Sequence, residues 1–557
     1  MIDSSEVERA LGEKQVSTFS QRALWLLLAA WLSAMLGFTP ARAQVVCDDR
    51  ACLDLRLLKQ NLVSGLKEKV EGYAVIVGDL PPAFGGLAQT SSDAPPHGVA
   101  MTPQRLSNVA SLSKVLTTVA LLQALERRNL TIDHKIAPFL YSDWPRGPNV
   151  EEITFKDLVT HRSGFRGALD PSDSHYPDCG STLYSNLKAQ IAFGVEPADR
   201  EVPHYCNSNI GLIRELLPQL EGRKDIAAER DEGKRAKKSS QFYIDYMNEH
   251  VFRRVLNASR ACKRTSETDY ALAYSFPADS TPGHEWSDGT LICGASNWVL
   301  SAKDLQALLS AIGHGGRLFS DAARTTMSCQ RLGWDNGVRP ADCPEGNLCK
   351  HGAVGYFPSP DAPYQAVRTY AGLFTCNTPV VLVANSPLPS HPDDALTFVR
   401  DALKRATLDH APKGARHCPK AQFELATKCV TLEPGQSALR VGAEASETHW
   451  PAPAAIHVMV SGLPEGVSAK WIETRPLARR IRGVAGYLEL SAAPAAPSGH
   501  ALARVTATSG VASYSTAVDV TVGGVCQARM QCEGVCGDCS GADACSLTGH
   551  VCPQSRR

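Results

Sequence analysis

The stretch Asn108-Val-Ala-Ser-Leu-Ser-Lys114, with the run Val-Leu-Thr-Thr-Val-Ala-Leu-Leu-Gln-Ala-Leu at 115–125, decides how the rest of the chain is read. Val115, Val119 and Leu122 stand at i, i+4 and i+7 with further apolar residues beside them. That pattern predicts a helix enclosed by core rather than one lying on a surface. Ser111 falls at the N-terminus of this helix, where unpaired N–H groups and the positive dipole end favour developing negative charge. Lys114 lies three residues on, on the same face and one turn away. A hydroxyl is a weak nucleophile until its proton is taken, and a lysine held in an apolar site can lose its own charge and assist. Ser111-Leu-Ser-Lys114 is therefore a candidate Ser-x-x-Lys site. In isolation the same residues read more simply as a capped helix with a solvated lysine, and two further motifs decide between the readings.

The second motif is Tyr205-Cys206-Asn207, immediately before the apolar helical pattern 208–217. A tyrosine, with an ordinary pKa near ~10, becomes a usable base when cationic neighbours lower it. Asn207 carries an amide that both donates and accepts, suited to holding Lys114 and a substrate carbonyl together. The third motif is Lys350-His351-Gly352-Ala353-Val354-Gly355, which leads into two strands, 367–374 and 380–384. On an edge strand beside a nucleophile, Lys350 supplies positive field for a substrate carboxylate or a developing phenolate, and Gly352 lets a substrate backbone approach. Around these motifs, 72–78 reads as a buried strand and 153–161 as a helix closed by the glycine of His161-Arg-Ser-Gly164. His161 reads as a partner of helix-end carbonyls rather than a base. A helix is expected over 298–309 with Ser301 as its cap, and another over 393–406. The mixed charge run at 221–240 reads as a solvated insertion without chemistry.

Bulk properties narrow the function classes. A chain of 557 residues is too long for one core and suggests three or four domains. Lys+Arg and Asp+Glu both total 57, so no basic excess points to nucleic acid or to an anionic membrane surface. The 18 cysteines suggest an oxidising compartment. Residues 23–38 form an uncharged apolar run after Arg22, and Ala41-Arg42-Ala43 supplies small residues for cleavage, so 1–43 is expected to be a secretory signal peptide. The alternative, an uncleaved anchor, is disfavoured by the shortness of the run. No second run approaches spanning length, so the expected location is secreted or periplasmic, with no stable membrane span after cleavage.

Ser111-x-x-Lys114, Tyr205-x-Asn207 and Lys350-x-Gly352 occur in the order and rough spacing of class C β-lactamases and the related low-molecular-mass penicillin-binding DD-peptidases. The resemblance runs from about residue 65 to 408 and includes His161-x-Ser-Gly164 and the closing strand–strand–helix. It implies an α+β β-lactamase/transpeptidase-like fold over 44–410: an antiparallel sheet flanked by helices plus a helical subdomain, with the site between them. It also implies that Ser111 is acylated, that Lys114 and Tyr205 form the proton-transfer pair, that Asn207 orients, and that Lys350 supports the tyrosine and the substrate anion. The backbone N–H groups of Ser111 and Ala353 would form the oxyanion hole, worth about a hundredfold or more in rate. No metal and no cofactor is needed. Expected substrates are β-lactams, D-Ala-type peptides of the peptidoglycan kind or related amides, with a carboxylesterase or a non-catalytic penicillin- or peptidoglycan-binding protein as alternatives. Two departures stand out. His351 replaces the usual Thr or Ser that meets the substrate carboxylate, and Cys206 replaces the usual Ser between Tyr and Asn. In a secreted protein Cys206 is expected to be disulfide-bonded, with Cys179 as a candidate partner.

After a linker at 411–430, six short strand patterns separated by turn residues are read at 438–441, 455–460, 469–472, 486–490, 501–506 and 516–522. They predict an all-β, immunoglobulin-like sandwich over 431–524, a candidate for cell-wall or glycan contact or a mere spacer. The tail 525–557 holds six cysteines and little apolar content, so it reads as a disulfide-rich segment rather than a zinc site.

Overall fold

The structure is a computed structural model and describes residues 45–524 except 48–50, 94–97, 168–176, 268, 279–280, 315–317, 339–342, 344–346, 361, 390, 393, 413, 418–422, 426–428, 448–456, 477–481 and 510–511. The expected signal segment 1–43 and the cysteine-rich tail 525–557 lie outside the described residues.

Up to residue 408 the chain builds a six-stranded antiparallel sheet between helices, beside two smaller sheets. In chain order the elements used below are α1 (Leu55–Leu66), β1 (Gly72–Val77), β2 (Ala83–Gln89), β3 (Val99–Ala100), α2 (Ser113–Arg127), α3 (Phe155–Val159), α4 (Tyr184–Phe193), α5 (Asn207–Leu220), α6 (Glu232–Met247), α7 (Ala302–His314), β4 (Leu348–Tyr356), β5 (Gln365–Phe374), β6 (Thr378–Ala384) and α8 (Ala395–Lys404). The strand order is β3-β2-β1-β6-β5-β4, with every pairing antiparallel. Strands β1, β5 and β6 are buried along their whole length. Consecutive strand residues point to opposite faces, so burial on both faces demands the unbroken apolar runs that the sequence shows. Ala74, Ile76, Ala371, Leu373, Val381 and Val383 share a core with α2 and α7 on one face. On the other, Val75, Val77, Tyr370, Val380 and Leu382 pack with Leu58 and Leu62 of α1 and with Val399 and Ala402 of α8. These are the antiparallel sheet and the helices on its two faces that the sequence led us to expect.

Helix α2 is the central element, buried from Ser113 through Leu125. Its entry is anchored by a two-residue strand, Ser107–Asn108, paired antiparallel with Val299–Leu300. Trp298–Leu300 is therefore extended, and α7 begins only after Ser301, whose Oγ accepts from Asp304 N–H while Ser301 N–H donates to the Asp304 carboxylate. Helix α3 opens with a full capping box between Thr154 and Asp157. It stops before His161, which itself adopts the left-handed conformation at φ 57°, ahead of Gly164 at φ 90°. The charge run at 221–240 is less solvated than expected, because much of it forms α6. Arg235 of that helix is 2% exposed and clasps the Asp143 carboxylate at 2.8 and 2.9 Å.

The downstream half folds as two four-stranded sheets around a shared core. With β7 (Phe423–Leu425), β8 (Cys429–Leu432), β9 (Leu439–Glu447), β10 (His457–Ser461), β11 (Val467–Pro476), β12 (Arg482–Ala492), β13 (Gly499–Ser509) and β14 (Ala512–Val522), the sheets run β7-β9-β12-β11 and β8-β14-β13-β10. Alternate residues such as Val430 and Leu432, Leu488 and Leu490, Ala503 and Val505, and Val518 and Val520 face inward. All six expected strands are present, and five are longer than read; the one read at 455–460 is His457–Ser461, with 455 and 456 outside the described residues. The segment expected to be a linker contributes β7 and the first residues of β8, and its Arg416–His417 pairs in parallel with Val46–Cys47.

Candidate functional site

Ser111 sits in a 3₁₀ turn, Ala110–Leu112, that runs directly into α2. The residue before it, Ala110, has φ 48°, a left-handed conformation that a side chain disfavours by about 1 kcal/mol or more. Neighbouring bonds hold it there: Ala110 N–H donates to Asn108 Oδ1 at 2.8 Å, Val109 N–H donates to Trp298 O at 2.9 Å, and Thr369 Oγ1 donates to Val109 O at 3.0 Å. The turn is thereby pinned to the sheet and to the bridge that precedes it.

Lys114, fully buried, points back along the helix and places Nζ 2.9 Å from Ser111 Oγ and 2.7 Å from Ala295 O. Tyr205 OH also lies 2.9 Å from Ser111 Oγ. Tyr205 is fixed from both sides of the chain. Cys206 is disulfide-bonded to Cys179, and Asn207, the first residue of α5, donates from Nδ2 to Gly180 O at 3.1 Å. Asn207 therefore holds the neighbouring loop rather than Lys114, whose second acceptor is Ala295 O; its Oδ1 is buried without a partner among the described residues. Lys350, on the edge strand β4, places Nζ 3.4 Å from Tyr205 OH, and the two ammoniums stand 5.0 Å (Lys114) and 4.9 Å (Lys350) from the centre of the Tyr205 ring. The sequence-predicted nucleophile and its three charged or phenolic companions thus converge on one point.

Gly352 is required by the packing of the site itself. A Cβ there would lie 2.3 Å from Thr369 Oγ1 and 2.6 Å from Val109 O, so the glycine lets β4 close against the Ser111 turn itself. Ala353, in register with Arg368 of β5, follows it on the exposed edge. His351 alternates with Lys350 and Gly352 and so shares a strand face with Cys349 and, across the ladder, Tyr370, on the side packed by α1 and α8. Its ring is not free: Nδ1 lies 2.6 Å from Asp335 Oδ2, which also accepts from His351 N–H at 2.8 Å.

Asp335 and His161 are the two residues whose part the sequence did not reveal. Asp335 lies in a 3₁₀ turn, Asp335–Gly337, is 2% exposed and forms a close ion pair with Lys350 through Oδ1. The only signal for it was indirect, since a buried lysine needs a counter-anion. His161 was read as a partner of carbonyls; instead its ring stacks on Tyr205 at 4.6 Å, and its Nδ1 accepts from Cys206 N–H at 3.2 Å.

The electrostatics follow from this packing. Burial pushes the Lys114 ammonium below its ordinary pKa, with Tyr205 opposing and Lys350 reinforcing. Burial alone would raise the Tyr205 phenol, but Lys114 and Lys350 override it and bring it down to about 8. Burial would lower Lys350, yet Asp335 and then Tyr205 hold it above its usual value. Asp335 is held well below the carboxylate range against its own burial by Lys350 and His351, and burial with the two lysines keeps His161 neutral. The arrangement can therefore present a phenolate–ammonium pair to one serine hydroxyl near neutral pH.

The Beta-lactamase family model matches residues 84–343, a span that includes Ser111, Lys114, Tyr205, Asn207 and Asp335 but stops short of Lys350. PbpX of Bacillus subtilis (strain 168), a protein named as penicillin-binding, is 24% identical over 271 residues, which is 47% of this chain and 59% of that protein. The chain thus spans less than two thirds of that relative's length. Among solved structures, EstCE1, a hydrolase with promiscuous acyltransferase activity, superposes with a TM-score of 0.45 at 14% identity over 62% of this chain and 98% of its own. A class C beta lactamase from Rhodobacter sphaeroides gives a TM-score of 0.42 at 19% identity over 63% and 98%. Over residues 84–343, the span that brings its serine, lysine and tyrosine into contact, this chain is similar to the beta-lactamase family.

Proposed function

We propose that the chain is a serine hydrolase working through an acyl-enzyme on Ser111. The observation that carries this reading is the position of Ser111 Oγ, 2.9 Å from both Lys114 Nζ and Tyr205 OH. In the proposed cycle the Tyr205–Lys114 pair removes the Ser111 proton as Oγ attacks the scissile carbonyl. The backbone N–H groups of Ser111 and Ala353 stabilise the resulting oxyanion, the second from an edge strand whose ladder leaves alternate N–H groups unpaired. The same pair returns the proton to the leaving group, and water releases the acyl chain in a mirrored second half. The unpartnered Asn207 Oδ1 is suited to accept from a substrate N–H, because a buried acceptor left alone costs about 1–3 kcal/mol. Substrates of this chemistry are β-lactams, D-Ala-type peptides and related amides, and on the same machinery carboxylic esters. The ester reading is favoured by one observation, the pairing of Lys350 with Asp335.

The disulfides Cys47–Cys52, Cys179–Cys206, Cys262–Cys293 and Cys343–Cys349 support an extracytoplasmic, oxidising location. We read the downstream sandwich as immunoglobulin-like, since labelling β7 to β14 as A, A′ and B to G gives the sheets A-B-E-D and A′-G-F-C. The test is a panel of a p-nitrophenyl ester, a chromogenic cephalosporin and a fluorescent penicillin, run on wild type and Ser111→Ala. Turnover of at least one substrate that vanishes in Ser111→Ala is the expected result. Stable labelling without turnover would indicate a penicillin-binding protein, and equal behaviour of both proteins on every substrate would overturn the proposal.

A further inference from the structure

The third motif carries a buried carboxylate whose two oxygens are both committed. Asp335 Oδ1 pairs with Lys350 Nζ, and Oδ2 accepts from the His351 backbone N–H at 2.8 Å and meets His351 Nδ1 at 2.6 Å. Two consequences follow for a ligand at the Ser111 pocket. First, Lys350 is 1% exposed and already neutralised, and Lys114 is 0% exposed and bonded to Ser111 Oγ and Ala295 O. When Tyr205 is ionised for catalysis, the two lysines face two anions, Tyr205 and Asp335, and neither ammonium is left over for an incoming carboxylate. Second, an ionised carboxylate can only accept, so the hydrogen between Asp335 and His351 belongs to Nδ1. His351 Nδ1, on a side chain that is 19% exposed, is thereby committed to Asp335 before a ligand arrives.

From this juxtaposition of Asp335, Lys350 and His351 we infer that the site selects acyl donors that carry no carboxylate. Asp335 is the specificity-determining residue, acting on the substrate through the ammonium and the imidazole nitrogen that it occupies. The inference rests on the Ser111 acyl-enzyme reading and names its substrate class: esters or amides that carry no carboxylate.

Two esters of equal length and the same leaving group test it: 4-nitrophenyl valerate, which is neutral, and mono-4-nitrophenyl glutarate, which ends in a carboxylate. Each is hydrolysed at the same carbonyl, so their kcat/KM ratio reports only on the distal group. Wild type is expected to favour valerate on the order of tenfold or more, the scale of one unit charge at a partly wet site. Asp335→Asn is expected to narrow that ratio by about the same factor through a lower KM for glutarate, whatever loss of kcat the two substrates share. A merely structural role for Asp335 would lower both rates and leave the ratio unmoved. Wild type that prefers glutarate or treats the pair alike overturns the inference, as does an Asp335→Asn protein with an unchanged ratio. If Asp335→Asn fails to fold, the wild-type ratio decides alone. Labelling by a fluorophosphonate separates the two levels: Ser111 labelled but no discrimination rejects only the inference, whereas no labelling of Ser111 rejects the acyl-enzyme beneath it.

Discussion

Replacing Tyr205 by Phe removes one oxygen and leaves almost everything else in place. The ring can still stack on His161 at 4.6 Å, and the Cys179–Cys206 disulfide still holds the segment, so the thermal midpoint is expected to move by no more than a few degrees. The lost oxygen is the one 2.9 Å from Ser111 Oγ and 3.4 Å from Lys350 Nζ. A positioned general base contributes about 10²–10⁴ in rate, or about 3–5 kcal/mol. Lys114 remains 2.9 Å from the same hydroxyl, so the expected fall in kcat is at the lower end, about 10²–10³-fold, with KM within about threefold. The pH profile is the sharper readout. A base works when deprotonated, so wild-type kcat/KM should rise as pH passes about 8, a value belonging to the coupled Tyr205–Lys114 pair. Without the phenolate, Lys114 loses its main electrostatic support while burial and Lys350 still depress it, so the rising limb should move to lower pH or vanish. A stopped or continuous ester assay between about pH 5 and about pH 10, which brackets that limb, gives both quantities. A Tyr205→Phe enzyme that keeps kcat within about fivefold, or keeps its limb near the wild-type position, would refute the assignment of Tyr205 as the base.

Gly352→Ala places a methyl 2.3 Å from Thr369 Oγ1 and 2.6 Å from Val109 O, so β4 or the Ser111 turn must shift. Such overpacking costs about 1–3 kcal/mol, but activity per folded molecule is expected to drop by at least about tenfold, since small misplacements of a nucleophile are expensive; a loss confined to stability in a melting and titration experiment would contradict it. The disulfide between Cys179 and Cys206 closes a separation of 27 residues beside Tyr205 and Asn207. Serine at both positions should cost about 3–4 kcal/mol in denaturant unfolding and also lower kcat, whereas serine at Cys47 and Cys52 should leave kcat unchanged.

How far the sequence carried can be argued residue by residue. Ser111 and Lys114 were legible because a helix converts a spacing of three into a shared face, and β1, β5 and β6 because strands buried on both sides leave continuous apolar runs. Lys350 could be placed on an edge strand because the two strands after it were readable. Asp335 was not legible: one acidic residue in a Trp-Asp-Asn-Gly turn looks solvated, and only tertiary closure brings it onto Lys350 and His351. His161 was misread for a related reason. Its left-handed backbone turns the ring away from the helix end and onto Tyr205, and no local pattern announces that. The strands β7 and β8 were missed because each is short and falls within, or at the end of, the segment 411–430 that reads as a connector.

The central claim is that one hydroxyl in this chain becomes covalently acylated. Peptide-mapping mass spectrometry after brief exposure to a slowly hydrolysed ester, a penicillin or a fluorophosphonate tests it most directly. The expected adduct maps to the peptide containing Ser111 and is absent from Ser111→Ala. An adduct on another residue, or none on folded wild-type protein with any of the three reagents, would contradict it.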